Sequence, residues 1–274
     1  MGESVAARKA SRHYDANYGN FESDLYAEIR REAFGVDIGQ NSWLTAKEQD
    51  MFLGWLDLAP GKTLLDVACG SGGPTLRIAE STGCSVVGID VHERAISTAN
   101  SLAAERNLKE RTDFYVVNAN EPLPFPDARM DAITCVDAIN HLPNRPLVIG
   151  AWARLLKPGG RLLFTDTAII TGPVTNEELA VRSSAGFFLF VPEDYDRDVI
   201  AKSSLRLLLC RNVSANVAEV AEKRRAAREA RSAAVRQIEG ERAFEAQQNF
   251  LAMASRLAGE GRLSRFVYVS EKIS

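Results

Sequence analysis

Between residues 63 and 166 short apolar runs alternate with stretches whose apolar residues recur at helical spacing. TLLDVA (63–68), CSVVGID (84–90), TDFYVVN (112–118), DAITCVD (131–137) and RLLFTD (161–166) read as buried strands. The intervening PTLRIAES, HERAISTANSLAAE and NRPLVIGAWARLL read as helices. Strands alternating with helices predict a doubly wound α/β fold with a parallel sheet covered on both faces. Lys157-Pro158-Gly159-Gly160 is expected to end a helix and turn the chain into the fifth strand. Upstream, residues 21–34 and 44–58 predict two helices joined by GVDIGQNSW. Downstream, 192–203 predicts a short helix, LRLLLCRNV a sixth strand, and LSRFVYVSEK a terminal strand. Between the last two, residues 214–258 carry a helical stripe through Val213, Val217, Val220, Phe244, Leu251, Ala254 and Leu257. The stripe is interrupted near Gly240, so a helical hairpin is expected.

The pattern divides the 274 residues into an N-terminal helical lid (1–58), an α/β core (59–213 and 260–274) and a helical cap (214–259). A net charge of −3 gives no whole-chain attraction to nucleic acid or to an anionic membrane. KRRAAREAR in the cap looks basic, but glutamates interleave at intrahelical pairing distances, which predicts a solvated face. Four widely spaced cysteines without a CxxC pair point to reduced thiols rather than disulfides or zinc. No apolar run approaches the ~20 residues of a membrane span, and the first residues carry no apolar secretory segment, so a cytoplasmic location is expected.

LLDVACGSGGPT, at the end of the first strand, is where ligand chemistry is expected. A nucleotide-triphosphate loop needs Lys-Ser/Thr after its glycines, and none follows. A dinucleotide loop needs a third glycine where Thr75 stands, and Pro74 removes one N–H that a pyrophosphate would use. Asp66, four residues before Gly70, would repel phosphate and suit an amine-bearing ligand. Asp90, ending the second strand, is placed to accept from both hydroxyls of a ribose.

LLDVACGSGG, VVGIDVHERAI, VVNANEPLPFPDARMDAITCVDAINHL and ARLLKPGGRLLFTD, in this order, resemble the class I S-adenosylmethionine-dependent methyltransferases over roughly residues 50–170. Within that class the chain resembles the small-molecule branch that includes ubiquinone/menaquinone-biosynthesis and sarcosine/dimethylglycine enzymes. The resemblance implies a Rossmann-like, seven-stranded, mostly parallel sheet of order 3-2-1-4-5-7-6 with an antiparallel last strand. It implies S-adenosylmethionine as cofactor and a small-molecule methyl acceptor. By the same resemblance Asp66 lies near the methionine amino group. Ala68, Gly70 and Gly72 let backbone approach the methionine and ribose. Asp90 holds the ribose diol, Val91 lies against adenine, and Asn118, Ala119 and Asn120 grip the adenine edge. Asn118 stands where the family usually has Asp, which trades one acceptor for a donor.

Methyl transfer from a sulfonium needs alignment and water exclusion, and a base only when the acceptor must lose a proton. No metal is expected. The candidates for catalysis are Asp137, which also ends the fourth strand at the methionine side, and His141 four residues on. A structural hydrogen bond or cofactor-wall packing stands beside the base reading for His141, and a backbone cap beside the site reading for Asp137. Asp166 either faces the acceptor pocket or caps a turn, while His92 and His13 are expected at the surface. HYDANYG and DIGQNSWLT resemble lid segments, which makes Tyr18, Gln40, Ser42 and Trp43 candidates for closing over the methionine, with Tyr14 behind them. The cap is expected over the sheet's C-terminal edge, shaping the acceptor pocket or meeting a second copy as a homodimer. Two other functions fit the same residues: an RNA or protein methyltransferase, and a non-catalytic cofactor-binding protein. Asp137-Ala138-Ile139-Asn140 lacks the Asn/Asp-Pro-Pro-aromatic pattern of amino-methylating nucleic-acid enzymes, and no recognition module is evident.

Overall fold

The computed structural model describes residues 23–184 and 186–273. Tyr18, Tyr14 and His13 lie outside the described residues. Two helices, α1 (Asp24–Phe34) and α2 (Ala46–Leu53), lead into β1 (Thr63–Val67), α3 (Gly73–Thr82), β2 (Ser85–Asp90), α4 (Glu93–Glu105) and β3 (Thr112–Val116). The chain continues through β4 (Met130–Cys135), α5 (Arg145–Leu155), β5 (Leu156–Ile170), α6 (Asn176–Arg182), the two-residue β6 (Val191–Pro192) and α7 (Tyr195–Ala201). It ends with β7 (Leu205–Asn212), helices α8 (Ser214–Glu229), α9 (Ser232–Glu239) and α10 (Glu241–Gly259), and β8 (Leu263–Lys272).

The sheet runs β3-β2-β1-β4-β5-β8-β7, with β6 paired to the end of β5. All pairs are parallel except those made by β8. With β6 set aside this is the expected order. Alternation along the strands builds two cores: Leu65, Val67 and Ile133 face Trp152 of α5, while Leu64, Val86 and Leu163 face Phe52, Leu56 and Ile78. Parallel pairing gathers the C-terminal ends of β1, β2 and β4 at one edge, where open α/β sheets place their ligands.

Two details depart from the sequence expectation. β5 begins at Leu156, so Lys157–Gly160 forms a bulge between the pairs Met130↔Leu156 and Ala132↔Arg161, with Gly159 at φ 75°. α6, absent from the sequence reading, is closed by a capping box between Thr175 and Glu178.

The expected hairpin over 214–258 is three helices, because the chain breaks at Ala230-Arg231 as well as at Gly240. Across the break Arg228 grips Glu239 at 2.9 and 2.7 Å, and the Tyr26 hydroxyl donates to the same carboxylate at 2.6 Å. The apolar faces of α8–α10 are covered by α1: Ile29 packs with Ala227, Val235 and Phe244, and Phe34 and Trp43 pack with Val220 and Leu251. The helix Asp24–Phe34 and the 214–259 segment therefore share two apolar clusters. Outward-facing pairs such as Glu219–Lys223 and Glu222–Arg225 make part of the basic-looking run a solvated, paired face, while Arg228 of the same run is buried against Glu239. Among the described residues no helix is long and apolar enough to cross a membrane.

Candidate active site

A cavity of about 790 Å³ opens at the C-terminal edge of the sheet, over the ends of β1, β2 and β4. Asp66, Ala68, Gly70, Asp90, Val91, Asn118, Ala119, Asn120, Asp137 and His141 all line it. Of the remaining site candidates, Trp43 and Gly72 do not.

The turn after β1 is held from both ends. Ala68 (φ 60°) and Gly70 (φ 56°) take left-handed backbone, which an alanine adopts at a cost of about 1–2 kcal/mol and which tends to collect at functional sites. The Gly70 N–H donates to Asp90 Oδ2 at 3.0 Å and the His92 N–H to Oδ1 at 2.9 Å. An amide that a phosphate loop would aim at its ligand is here engaged by a carboxylate of the same protein. Burial raises the Asp90 carboxyl above its ordinary range, and those two amides act in the opposite sense. Asp66 receives the Thr75 hydroxyl at 2.5 Å and the Thr134 hydroxyl at 2.8 Å. Burial still pushes its carboxyl up to about 6, against these two donors. The residue where a dinucleotide motif has its third glycine thus holds the carboxylate that disfavours a dinucleotide.

Gly72 and Gly73 serve packing. A Cβ on Gly72 would sit 2.7 Å from the Ala99 Cβ on α4, and one on Gly73 would sit 2.2 Å from the Ile38 carbonyl. Gly73 is thus where the 35–45 loop crosses the start of α3. That loop brings Gln40 and Ser42 to the cavity wall. Trp43 instead stacks on Phe250 at 6.2 Å, and its backbone N–H reaches the site by donating to Asp137 Oδ2 at 2.9 Å.

Asp137, with φ 57°, is the hub of a buried ionic network. Arg265 of β8 donates to it through Nε at 2.6 Å and Nη2 at 3.2 Å, and to both oxygens of Glu48 through Nη1 at 2.7 and 2.8 Å. The Thr165 hydroxyl adds 2.7 Å to Asp137 Oδ1. With the Trp43 amide, four donors meet the roughly four lone-pair positions of one carboxylate. The geometry is that of an anchor joining β4, β8, α2 and the 35–45 loop, the backbone-organising alternative for Asp137.

His141 sits in the short 3₁₀ turn Ile139–His141. Its Nδ1 lies 2.7 Å from the Phe187 carbonyl, which only accepts, so Nδ1 carries the proton and Nε2 is the basic nitrogen. Asn140 Nδ2 lies 3.3 Å from Nε2, and the Phe188 ring meets the imidazole edge-on at 4.6 Å. Burial lowers the pKa of His141, with the Phe187 carbonyl opposing, so the ring is neutral at pH 7.

Asp166 takes the second of its two expected roles: it does not line the cavity, accepts from the Ala168 N–H at 2.8 Å and is paired with Arg145, which also holds Asp196 at 2.8 Å. One sequence expectation is corrected here. His92 is half-buried on the cavity wall rather than at the surface, because its amide is drawn in by Asp90. No residue of 214–259 lines the cavity; the expected contribution of the cap is made by Phe187, Leu142 and Pro143. The run FFLF at 187–190 was the available signal for Phe187. Asn118 spends its side-chain oxygen on the Asn120 N–H at 3.0 Å, leaving its amide nitrogen as the outward donor. Among the described residues no group of three or more His, Cys, Asp or Glu is placed to hold a metal ion.

A family model described as a methyltransferase domain matches residues 58–231. The 27-O-demethylrifamycin SV methyltransferase of Amycolatopsis mediterranei is 32% identical over 168 residues, covering 58% of this chain and 61% of that protein. The sterol 24-C-methyltransferase erg6 of Schizosaccharomyces pombe is 38% identical over 144 residues, covering 52% of this chain and 36% of that protein. The chain thus spans less than two thirds of the length of either relative. Among solved structures, phosphoethanolamine N-methyltransferase 2 of Haemonchus contortus, in complex with phosphomonomethylethanolamine and S-adenosylhomocysteine, superposes with a TM-score of 0.80 at 17% identity. That alignment covers 96% of this chain and 60% of that one.

Proposed function

The chain belongs to the methyltransferase-domain family, and from that premise we propose that it transfers a methyl group from S-adenosylmethionine to a nitrogen, oxygen or carbon atom of a small-molecule acceptor. The observation that carries the reading is the pair of buried carboxylates, Asp66 and Asp90, flanking a strained glycine turn at one end of a cavity. Among the described residues no lysine or arginine lines that cavity. Such a wall suits an ammonium and a sulfonium and opposes a pyrophosphate.

Asp66, set by two threonine hydroxyls, receives the methionine ammonium, and a carboxyl poised near 6 ionises when that cation arrives. Asp90 accepts from the ribose diol, Val91 offers its exposed side chain to one adenine face, and the Asn118 amide and the 118–120 backbone meet the adenine edge. The bound cofactor supplies an electrophilic methyl group on a sulfur that leaves as a neutral thioether. The Asp137–Arg265–Glu48 network fixes the wall between cofactor and acceptor. His141 Nε2 takes the proton of an N–H or O–H acceptor when that group displaces the Asn140 Nδ2 contact 3.3 Å from it, and Phe187, Leu142 and Pro143 keep water out. The 1–58 region acts as a lid, and its described helix Asp24–Phe34 is braced by the 214–259 helices through the clusters of Ile29 and Phe34. Four free thiols support a reducing, cytoplasmic setting.

The relatives are named for an oxygen and a carbon acceptor and the structural neighbour for a nitrogen one, which supports the small-molecule class without choosing the atom. The test is incubation with S-adenosylmethionine labelled in its methyl group and a metabolite extract. A labelled small molecule is expected. Label confined to RNA or protein, or none at all, contradicts the proposal.

A further inference from the structure

The 187–190 segment reaches the cavity as irregular backbone, and a buried arginine holds it there. Phe187 lines the cavity wall, and its carbonyl lies 2.7 Å from His141 Nδ1. Phe188 meets the same imidazole edge-on and stacks on Phe190 at 6.0 Å. Between those two rings the backbone is fixed on both sides of Leu189. Its N–H donates to the Asn140 carbonyl at 2.8 Å, and its carbonyl accepts from Arg145 Nη2 at 3.0 Å.

Arg145 opens α5 and is fully buried. Its Nη1 donates to Asp166 of β5 and, at 2.8 Å, to Asp196 of α7, both fully buried as well. Taking three ionisable groups out of water is unfavourable, and apolar residues of similar volume often stabilise a core as well or better. Cohesion alone therefore does not account for the cluster. What an apolar side chain could not supply is a donor aimed at the Leu189 carbonyl from a planar fork locked by two carboxylates.

The effect converges on His141. Asn140, whose carbonyl takes the Leu189 N–H, precedes it in a single 3₁₀ turn, and Asn140 Nδ2 lies 3.3 Å from His141 Nε2. The Phe187 carbonyl accepts the Nδ1 proton and the Asn140 amide donates toward Nε2. Both contacts select one tautomer, with the lone pair on Nε2.

We infer that Arg145 is a positioning residue for methyl transfer: its hold on the Leu189 carbonyl sets the 187–190 segment, and through the Phe187 carbonyl and Asn140 it fixes the His141 tautomer that leaves Nε2 basic. This rests on the methyltransferase reading above, in which Nε2 receives the acceptor's proton. Arg145 lines no part of the cavity, and no bond is made or broken at it. Asp166 and Asp196 aim its fork.

The test reads the tautomer from the ring-nitrogen NMR shifts of His141 in the full chain at pH 8, where the ring is neutral. His13 and His92 are assigned by their glutamine variants. The unmodified protein is expected to carry the proton on Nδ1; a ring protonated on Nε2 overturns the inference. Arg145→Lys keeps a cation for Asp166 and Asp196 but lacks the second arm that reaches Leu189. It is expected to fold with the Nε2–H tautomer populated, and to lower kcat about tenfold to a hundredfold without raising the KM for S-adenosylmethionine. If that variant does not fold, Arg145→Met combined with Asp166→Asn and Asp196→Asn removes the arm without stranding a buried charge, and the same tautomer shift is expected. A folded variant that keeps the wild-type tautomer overturns the inference, whatever its kcat. S-adenosylhomocysteine is titrated in parallel. Normal nucleoside binding with an unmoved tautomer defeats this inference alone; a tautomer shift without nucleoside binding defeats the methyltransferase reading alone.

Discussion

The hydroxyl of Thr75 donates to Asp66 Oδ2 at 2.5 Å, while Thr134 serves Oδ1 at 2.8 Å, so a buried carboxylate is held by neutral donors with no cation paired to it among the described residues. An empty place for a positive charge has a measurable pH signature. The Asp66 carboxyl is pushed up to about 6 in the free protein, and an ammonium beside it favours the ionised form. Binding of S-adenosylmethionine should therefore release a proton near and below pH 6. Its affinity should be constant above about pH 7 and fall as pH drops through 6. Calorimetry in buffers of different ionisation enthalpy checks this.

The same carboxylate costs the free protein stability. A folded pKa raised from 3.8 to about 6 means that the folded state binds more protons in that window, so stability falls as pH rises through it. Asp66→Asn should raise the Tm of the ligand-free protein at pH 7.5, by on the order of 1–3 kcal/mol of stability, and at the same time abolish cofactor binding. A fall in Tm would show that the charged form is already compensated.

His141→Gln should lower kcat by about 10²–10⁴-fold with little change in cofactor affinity, the range of a lost general base. Because burial holds the imidazole below its ordinary value of 6.5, the wild-type kcat should stay level from pH 8 to 6.5 and fall only below that. Measured at saturating cofactor, this limb is separate from the Asp66 effect, and it should vanish in the variant. An unchanged kcat would leave His141 as cofactor wall.

Much of the cavity wall proposed to hold the cofactor was legible because its residues lie in contiguous segments. LLDVACGSGG and VVGID each place a carboxylate at a strand end, and parallel pairing of adjacent strands brings Asp66 and Asp90 together. The acceptor half was not, because its contacts are long-range. Asp137 reads as a site residue or a backbone cap at a strand end; Arg265 and Trp43, which hold it, come from β8 and the 35–45 loop, and Arg265 is shared with Glu48 of α2. Asp166 likewise reads as available until Arg145, on the preceding helix, closes on it. Gly72 carries a motif position, yet what it meets is Ala99 on another helix. The second break at Ala230-Arg231 has no Gly or Pro to announce it.

Arg265→Met should be among the most disruptive single changes. It leaves Asp137 and Glu48 buried face to face without their shared cation, a loss of about 3–5 kcal/mol. Chemical denaturation at pH 7.5 measures it. Burial already raises the Glu48 carboxyl, so part of the loss should be recovered on lowering the pH toward 5, where that group takes up a proton.

The glycine turn separates packing from binding. Gly72→Ala puts a methyl 2.7 Å from Ala99 at φ 79° and should cost about 2–4 kcal/mol, with cofactor affinity of the folded protein nearly unchanged. Gly70→Ala, at the cavity wall, should weaken cofactor binding instead. Tm and calorimetric affinity of the two variants side by side check the distinction.

Titration calorimetry of the full chain with S-adenosylmethionine and with NAD, repeated on Asp90→Ala, tests the central claim most directly. The two buried carboxylates and the cation-free wall predict saturable one-to-one binding of S-adenosylmethionine, weakened by about 1.5–3 kcal/mol or more when the ribose acceptor is removed, and no binding of NAD. Binding of NAD without S-adenosylmethionine, or an Asp90→Ala protein that binds as tightly as the wild type, would contradict it.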